Sequence, residues 1–417
     1  MNNYKKLFSL IKEECENIKP KKKIALHEPT FGPDEIFGFT KQMITTKVTM
    51  GQKVRKFENE FCRKFGFKNG VTSNSGSSAN LLMIAALCSK WKKRYLKPGD
   101  EVIVPALTWS TSIFPLTQYG LVPVLVDSDI ETLNMNIESI ENSITSKTKA
   151  ILVVHIYGNP CNMDAIEKIC KKNNLILIED ACESMGAYYK NKPVGSFGLL
   201  SSFSFYFSHH ITCMEGGITL TKSFDLAESM RIIRSHGWIR NLEKPELIKN
   251  KYKKIDEKFL FVDEGYNLRL TEPQAVMGSI QLKKLDKFLN IRKRNAEYLL
   301  NLLYEFSDTF IFQQPRPSDK HSWFGFAFTL RKNQNFSREQ ICKFLNKKGI
   351  ETRVIVAGNL AIQPALKNFK FKKISSLKNS SYIMNNSFSI GMHQGLNKNS
   401  MHYIKDCIYK FLKSIKN

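Results

Sequence analysis

What this 417-residue sequence lacks narrows its possibilities first. It has no run of 18 apolar residues, so no membrane-spanning helix is expected; its opening stretch MNNYKKLFSLIKEECENI is charged and amphipathic, unlike a signal peptide. The nine cysteines, at 15, 62, 88, 161, 170, 182, 213, 342 and 407, form no CxxC or CxC pair, and none falls between 218 and 341. A zinc site or an iron–sulfur cluster therefore has no support, and the odd, scattered count reads as reduced thiols of a cytoplasmic protein. Acidic residues are also short, 38 against 63 Lys and Arg, for a formal net charge of +25. The lysines sit on outer faces of helical patterns such as LKKLDKF and LNKKG, which reads as a solvated surface. A nucleic-acid-binding regulator would call for a basic stripe with interleaved aromatics, and none is seen. The dense run KPKKKI at 19–24 reads as a solvated linker.

Hydrophobic residues make up 42% of the chain and aromatics 11%, the composition of a globular protein large enough to bury a substantial core. From about 70 to 240, short apolar runs (EVIVPAL, PVLVDSD, AILVVHIYG, LILIEDA, SSFSFYF) alternate with helical patterns (SGSSANLLMIAALCSK, MDAIEKICKKNN), the beat of an α/β domain. Strands apolar on both faces predict a largely parallel sheet covered by helices, with ligands at the carboxyl ends of the strands. Residues 272–306 predict one or two long helices leaving this domain. Beyond them, HSWFGFAFTLR and IETRVIVAG read as strands around a helix that opens on the Ser337–Gln340 capping pattern and stops at Gly349. The expected division is an N-terminal arm at 1–40, a large α/β domain at 41–290 and a small α+β domain at 291–417.

Several short stretches carry chemistry. TSNSGSSAN (72–80) places Gly76 and Ser77 before an apolar helix, either as a phosphate cradle or as an ordinary N-terminal cap. LILIEDACES ends a strand on acids; Asp180 there can hold a protonated ring nitrogen or remain a solvated acid. Trp109, in VPALTWSTS, either stacks on a planar ligand or packs in the core, and Ser204 either donates to phosphate or serves a strand neighbour. FSFYFSHHITCMEGG (203–217) has no lysine, and places His209 eight residues ahead of its final glycine.

Together these stretches resemble the DegT/DnrJ/EryC1/StrS family of sugar aminotransferases, from about residue 30 to the C-terminus. The resemblance implies the aspartate-aminotransferase-like fold type I of transferases dependent on pyridoxal 5′-phosphate (PLP): a large domain with a mostly parallel sheet and a smaller α+β domain. It also implies that Gly76, Ser77 and Ser204 hold the cofactor phosphate, Trp109 stacks on the ring, Asp180 faces its nitrogen and Glu183 lies near its hydroxyl. Asn267, in GYNLR, is implied to reach the neighbouring subunit's phosphate in a homodimer. His236, Arg240 and Arg353 are weaker candidates for contacts to sugar or diphosphate, with surface ion pairing the alternative for the arginines.

The family carries at position 209 a lysine that tethers the cofactor aldehyde. An imidazole forms no stable link of that kind but moves protons near neutral pH. The phrases EDACESMGAYYKNKPVGSFG, RSHGWIRN, FLFVDEGYNLR and GIETRVIVAGN resemble the branch of 3-dehydratases that act on nucleotide-linked 4-keto-6-deoxy sugars. That resemblance implies pyridoxamine 5′-phosphate (PMP) made from L-glutamate, His209 as base, and a place in 3,6-dideoxy-sugar (colitose) synthesis for lipopolysaccharide. A sister type that takes a CDP-linked sugar binds an iron–sulfur cluster through cysteines after EGG; their absence favours the GDP-linked, cluster-free type. A sugar aminotransferase of the same fold is the rival reading.

Overall fold

The computed structural model describes residues 2–17, 24–91 and 93–415. The basic run at 19–24 lies outside the described residues except for Ile24. Seven strands of the main sheet arise between residues 69 and 221: β1 (Asn69–Ser73), β2 (Glu101–Pro105), β3 (Val122–Val126), β4 (Thr148–Val154), β5 (Ile176–Asp180), β6 (Leu200–Ser204) and β7 (Gly217–Thr221), with a separate two-stranded hairpin formed by Tyr188–Tyr189 and Lys192–Pro193. Five more follow: β8 (Phe310–Phe312), β9 (Gly325–Leu330), β10 (Thr352–Val354), β11 (Lys372–Lys373) and β12 (Ser387–Gly391). The main sheet has eight strands in the order β1-β7-β6-β5-β4-β2-β3-β11, and the second sheet four in the order β8-β9-β12-β10.

The main sheet is parallel except for β7, which pairs antiparallel with both β1 and β6. Residues of β2 and β3 are buried throughout, because helices cover both faces and leave no polar side to alternate with. One face is packed by phenylalanines: the rings of Phe61 lie 5.6 Å from Phe203 and 5.5 Å from Phe205. The strand β11 was not foreseen. Its Lys372 pairs with Val124 of β3 and its ammonium reaches Glu101 Oε1 at 2.7 Å, so the C-terminal part of the chain supplies an edge of the main sheet.

Four helices bear on the site. α1 (Pro33–Ile44) packs on α4 (Glu272–Leu303), where buried Glu35 accepts from Gln281 Nε2 at 2.9 Å and meets the Lys284 ammonium at 2.7 Å. α2 (Gln52–Phe65) carries Phe57 and Phe61. α3 (Gly76–Cys88) is capped by Ser75, whose Oγ accepts from the Ser78 amide at 3.0 Å. α4 begins at the Thr271–Gln274 capping box and continues unbroken through 32 residues, about 48 Å of helix, so the long helical pattern is one rod that passes through residue 290. The capping box at Ser337–Gln340 forms as the pattern requires, and Gly349 takes φ +78° beyond the helix it follows. Residue 24 is anchored to the second sheet: the Ile24 amide donates to Gly349 O at 3.0 Å and Ile24 O accepts from Glu351 at 2.8 Å.

Candidate active site

The carboxyl ends of β2, β4, β5 and β6 and the first turn of α3 converge on a cavity of about 370 Å³. Gly76, Ser77, Trp109, Asp180, Glu183, Ser204, His209 and Arg353 all line it, although they are drawn from positions spread over 277 residues of separation. This is the place where an α/β sheet presents its ligands.

Asp180, at the end of β5, is held rather than solvated. Its Oδ2 accepts from Asn80 Nδ2 at 2.8 Å and Ser112 Oγ at 2.7 Å, and its Oδ1 from the Cys182 amide at 3.1 Å. Ser112 is in turn within 2.9 Å of Thr108 Oγ1, and Ser202 Oγ donates to Asn80 Oδ1 at 2.5 Å. Trp109 is not a core residue: 47% of it is exposed, on the cavity wall, with the Arg353 guanidinium 5.7 Å from its ring. Gly76 has no room for a side chain, since a Cβ there would lie 2.6 Å from Ser204 Cβ and 2.7 Å from its Oγ. The Ser75 cap takes the Ser78 amide, so the amides of Gly76 and Ser77 keep no intrahelical acceptor and lie at the positive end of the helix. An anion-binding helix end beside a serine hydroxyl, a flat exposed indole and a fixed carboxylate fit the phosphate, the ring face and the ring nitrogen of a pyridoxal-type cofactor.

His209 follows β6 by one short turn. Its Nδ1 lies 2.8 Å from the Cys182 carbonyl, which only accepts, so Nδ1 carries the hydrogen and Nε2 presents a lone pair. The imidazole is flanked by Phe324, edge-on at 4.9 Å between centroids, and by Tyr206 at 6.0 Å. Burial pushes its pKa down to about 4, the Cys182 carbonyl opposes that, and the Arg292 guanidinium adds to it, so the ring is a neutral proton acceptor at physiological pH. Glu183 moves the other way: burial raises it to about 7 against the opposing hydrogen bond from the Tyr157 amide, 3.0 Å from Oε2. One cavity thus holds a base kept empty of its proton and an acid kept close to holding one. Tyr157 itself sits at φ +56°, an uncommon conformation for a bulky side chain.

Three expected residues stand elsewhere in their own chain. Asn267 is exposed, with Oδ1 accepting from Arg269 Nε at 2.9 Å. His236 is exposed at φ +64°. Arg240 is exposed with its guanidinium 5.2 Å from the Trp238 ring, and it lines a separate cavity with Arg55, Arg231 and Arg269. His210 turns away from the cavity and places Nε2 3.0 Å from Ser322 O. Residues not foreseen include Asn80, Ser112, Tyr157 and Phe324. Asn80 had a signal, a lone amide inside the apolar run ANLLMIAAL; Phe324 had none, being 115 positions beyond His209.

The DegT/DnrJ/EryC1/StrS aminotransferase family model matches residues 32–409. The chain is 45% identical over 353 residues to the GDP-4-keto-6-deoxy-D-mannose 3-dehydratase of Escherichia coli O55:H7, spanning 83% of this chain and 89% of that protein. It is 41% identical over 373 residues to the enzyme of the same name from Yersinia pseudotuberculosis, spanning 88% and 94%. Among solved structures, the E. coli GDP-4-keto-6-deoxy-D-mannose 3-dehydratase with bound hydrated PLP superposes with a TM-score of 0.88 at 41% identity, over 93% of this chain and 99% of that one. A GDP-4-keto-6-deoxymannose 3-dehydratase structure with a trapped PLP–glutamate geminal diamine superposes with a TM-score of 0.87 at 41% identity, over 92% and 100%.

Proposed function

The chain belongs to the DegT/DnrJ/EryC1/StrS aminotransferase family, and from that membership we propose a PMP-dependent nucleotide-sugar 3-dehydratase that removes the C3 hydroxyl of GDP-4-keto-6-deoxymannose, with L-glutamate as amino donor. The observation that carries this reading is His209: an imidazole with a free Nε2 faces a cavity whose wall includes no lysine among the described residues. A family member without a lysine tether cannot recapture the cofactor covalently, which favours elimination over a completed amino transfer.

When bound, the cofactor supplies an amine for the sugar ketone and an aromatic ring that accepts electrons. The amides of Gly76 and Ser77 and the Ser204 hydroxyl would hold its phosphate, and Trp109 would offer its exposed face to its ring. Asp180, fixed by Asn80, Ser112 and the Cys182 amide, holds the proton on its ring nitrogen, because an adjacent carboxylate stabilises the protonated form. His209 takes a proton at Nε2 while the Cys182 carbonyl keeps the ring from turning. Positioned acid–base groups of this kind contribute on the order of 10² to 10⁴-fold in rate. Arg353 holds an anionic group of the donor or the nucleotide. The overall reaction closes without another redox partner: the C3 hydroxyl leaves as water, one water supplies the carbonyl oxygen of the 2-oxo acid made from glutamate, glutamate provides the two electrons that reduce C3, and its nitrogen leaves as ammonia.

The reading extends to a cytoplasmic homodimer in 3,6-dideoxy-sugar (colitose) synthesis for lipopolysaccharide. Asn267 would then serve a neighbouring subunit, which its exposure on its own chain supports, and Phe259 and Phe261, 66% and 54% exposed on the preceding loop, would be covered. Arg240 and His236, on the same side, would join the contacts to the diphosphate or sugar. Mass spectrometry of products from GDP- and CDP-linked 4-keto sugars supplied with glutamate and PLP tests the reading: ammonia and a 3-deoxy-4-keto product are expected, and a stable amino sugar would overturn it.

A further inference from the structure

Arg292, on α4, is among the largest fully enclosed side chains of the protein and is 2% exposed. Among the described residues no carboxylate pairs with it. Its Nη1 instead donates to three carbonyls, Trp323 at 3.0 Å, Phe324 at 3.3 Å and Met392 at 2.5 Å, while Nε has no partner. A buried cation satisfied only by carbonyl dipoles is costly to keep, so its position calls for a purpose. The segment it grips is itself unusual. Trp323 is held at φ +53°, a strained conformation for a bulky residue, and the chain there bonds back to the wall of the cavity, Ser322 N to Gly158 O at 3.1 Å and Phe324 N to Tyr157 O at 2.9 Å. The next ring along is that of Phe324, against His209.

We infer that Arg292 is a positioning residue for His209: by holding the Trp323 and Phe324 carbonyls it clamps the strained turn that sets the Phe324 ring against the imidazole. Burial brings the guanidinium itself down to about 10, which still leaves it charged at neutral pH. The groups around the imidazole come from several elements: Asp180 at the end of β5 favours the protonated ring, whereas Arg353 of β10 and Arg292 of α4 disfavour it. The neighbouring His210 and His393 feel the same guanidinium and are likewise pushed down, chiefly by burial, so none of them supplies a competing positive charge at neutral pH. The sign follows directly. A charge removed from behind the base makes the base easier to protonate, so activity that needs the empty Nε2 fails at a higher pH.

The inference rests on His209 as the base, but its test separates the two. In the PLP-loaded protein, the ¹³C resonance of His209, assigned by its loss in His209→Asn, is followed against pH without turnover in the parent, Arg292→Met and Arg292→Lys. The parent imidazole is expected to titrate below the ordinary value of about 6.5, Arg292→Met on the order of one unit higher, and Arg292→Lys within a few tenths of the parent. The acid limb of kcat/KM on the GDP-linked keto sugar is expected to move by the same amount in Arg292→Met. A titration unmoved in Arg292→Met, or moved equally in Arg292→Lys, would overturn the inference whatever the reaction proves to be. If neither variant folds, the parent alone decides: an imidazole titrating at or above about 6.5 refutes it.

Discussion

Adding one methyl group to Gly76 tests the cofactor cradle at its tightest point. An alanine Cβ there would stand 2.6 Å from Ser204 Cβ, 2.7 Å from Ser204 Oγ and 3.3 Å from Cys182 Sγ, where ordinary contact begins near 3.4 Å. Ser204 must therefore retreat by about 1 Å, or the first turn of α3 must lift, and overpacking of that size costs about 1–3 kcal/mol. Ser204 sits at the end of a paired strand, with Oγ accepting from the Tyr206 amide at 3.2 Å, so it does not yield freely. Because the hydroxyl and the helix-end amides are the groups assigned to the phosphate, the displacement falls on binding: at 1.4 kcal/mol per tenfold, PLP should bind Gly76→Ala about 5- to 150-fold more weakly. Absorbance titration of the apoprotein with PLP reads this directly. Ser204→Ala is the companion, since it removes the hydroxyl assigned to the phosphate and should weaken PLP by a hydrogen bond's worth, about 1 kcal/mol. A dissociation constant for Gly76→Ala within twofold of the parent would refute the placement of the phosphate at this helix end.

His209→Lys should restore a covalent tether, read as a protein mass increased by the cofactor after borohydride reduction, with dehydration abolished; an unchanged mass and spectrum would show that residue 209 does not reach the cofactor. Asp180→Asn should leave PLP bound but lower turnover by at least 10²-fold, because an amide cannot hold the ring-nitrogen proton by charge; full activity would remove Asp180 from its role. Glu183 has a folded pKa of about 7 against an ordinary 4.5, so its contribution to stability is fully present below about 4.5 and is lost as pH rises through 7. In Glu183→Gln that slope should disappear from apoprotein melting temperatures taken between pH 5 and 7.5, and a persisting slope would assign it elsewhere.

The parts of this fold that could be read from residues alone were those with local causes. β2 to β6 appear as apolar runs because burial on both faces suppresses alternation, and the helix opening at Ser337 announces itself because a cap is a matter of four consecutive residues. Pairings across long stretches left no such mark. β7 runs against β6 because the chain reverses over residues 205–216 between them, and β11 is two lysines that look like solvated surface until they meet β3 and Glu101. The site divides in the same way. His209, Asp180, Gly76 and Trp109 were visible as residue types at strand ends. Asn80 and Ser112 act only through Asp180, and Phe324 and Arg292 reach His209 from 115 and 83 positions away, distances at which spacing conveys nothing.

The rod of α4 and the two-residue strand β11 are separate stitches through the same seam. One leaves the main sheet for the second, and the other comes back from between two strands of the second to the first sheet's far edge. A clamshell motion would have to bend an uninterrupted helix or peel a paired edge, and neither is cheap. Admission of something as bulky as a sugar on a nucleotide therefore falls to the rim, to side chains such as Trp109 and Arg353, and small-angle scattering should give the same envelope with and without substrate.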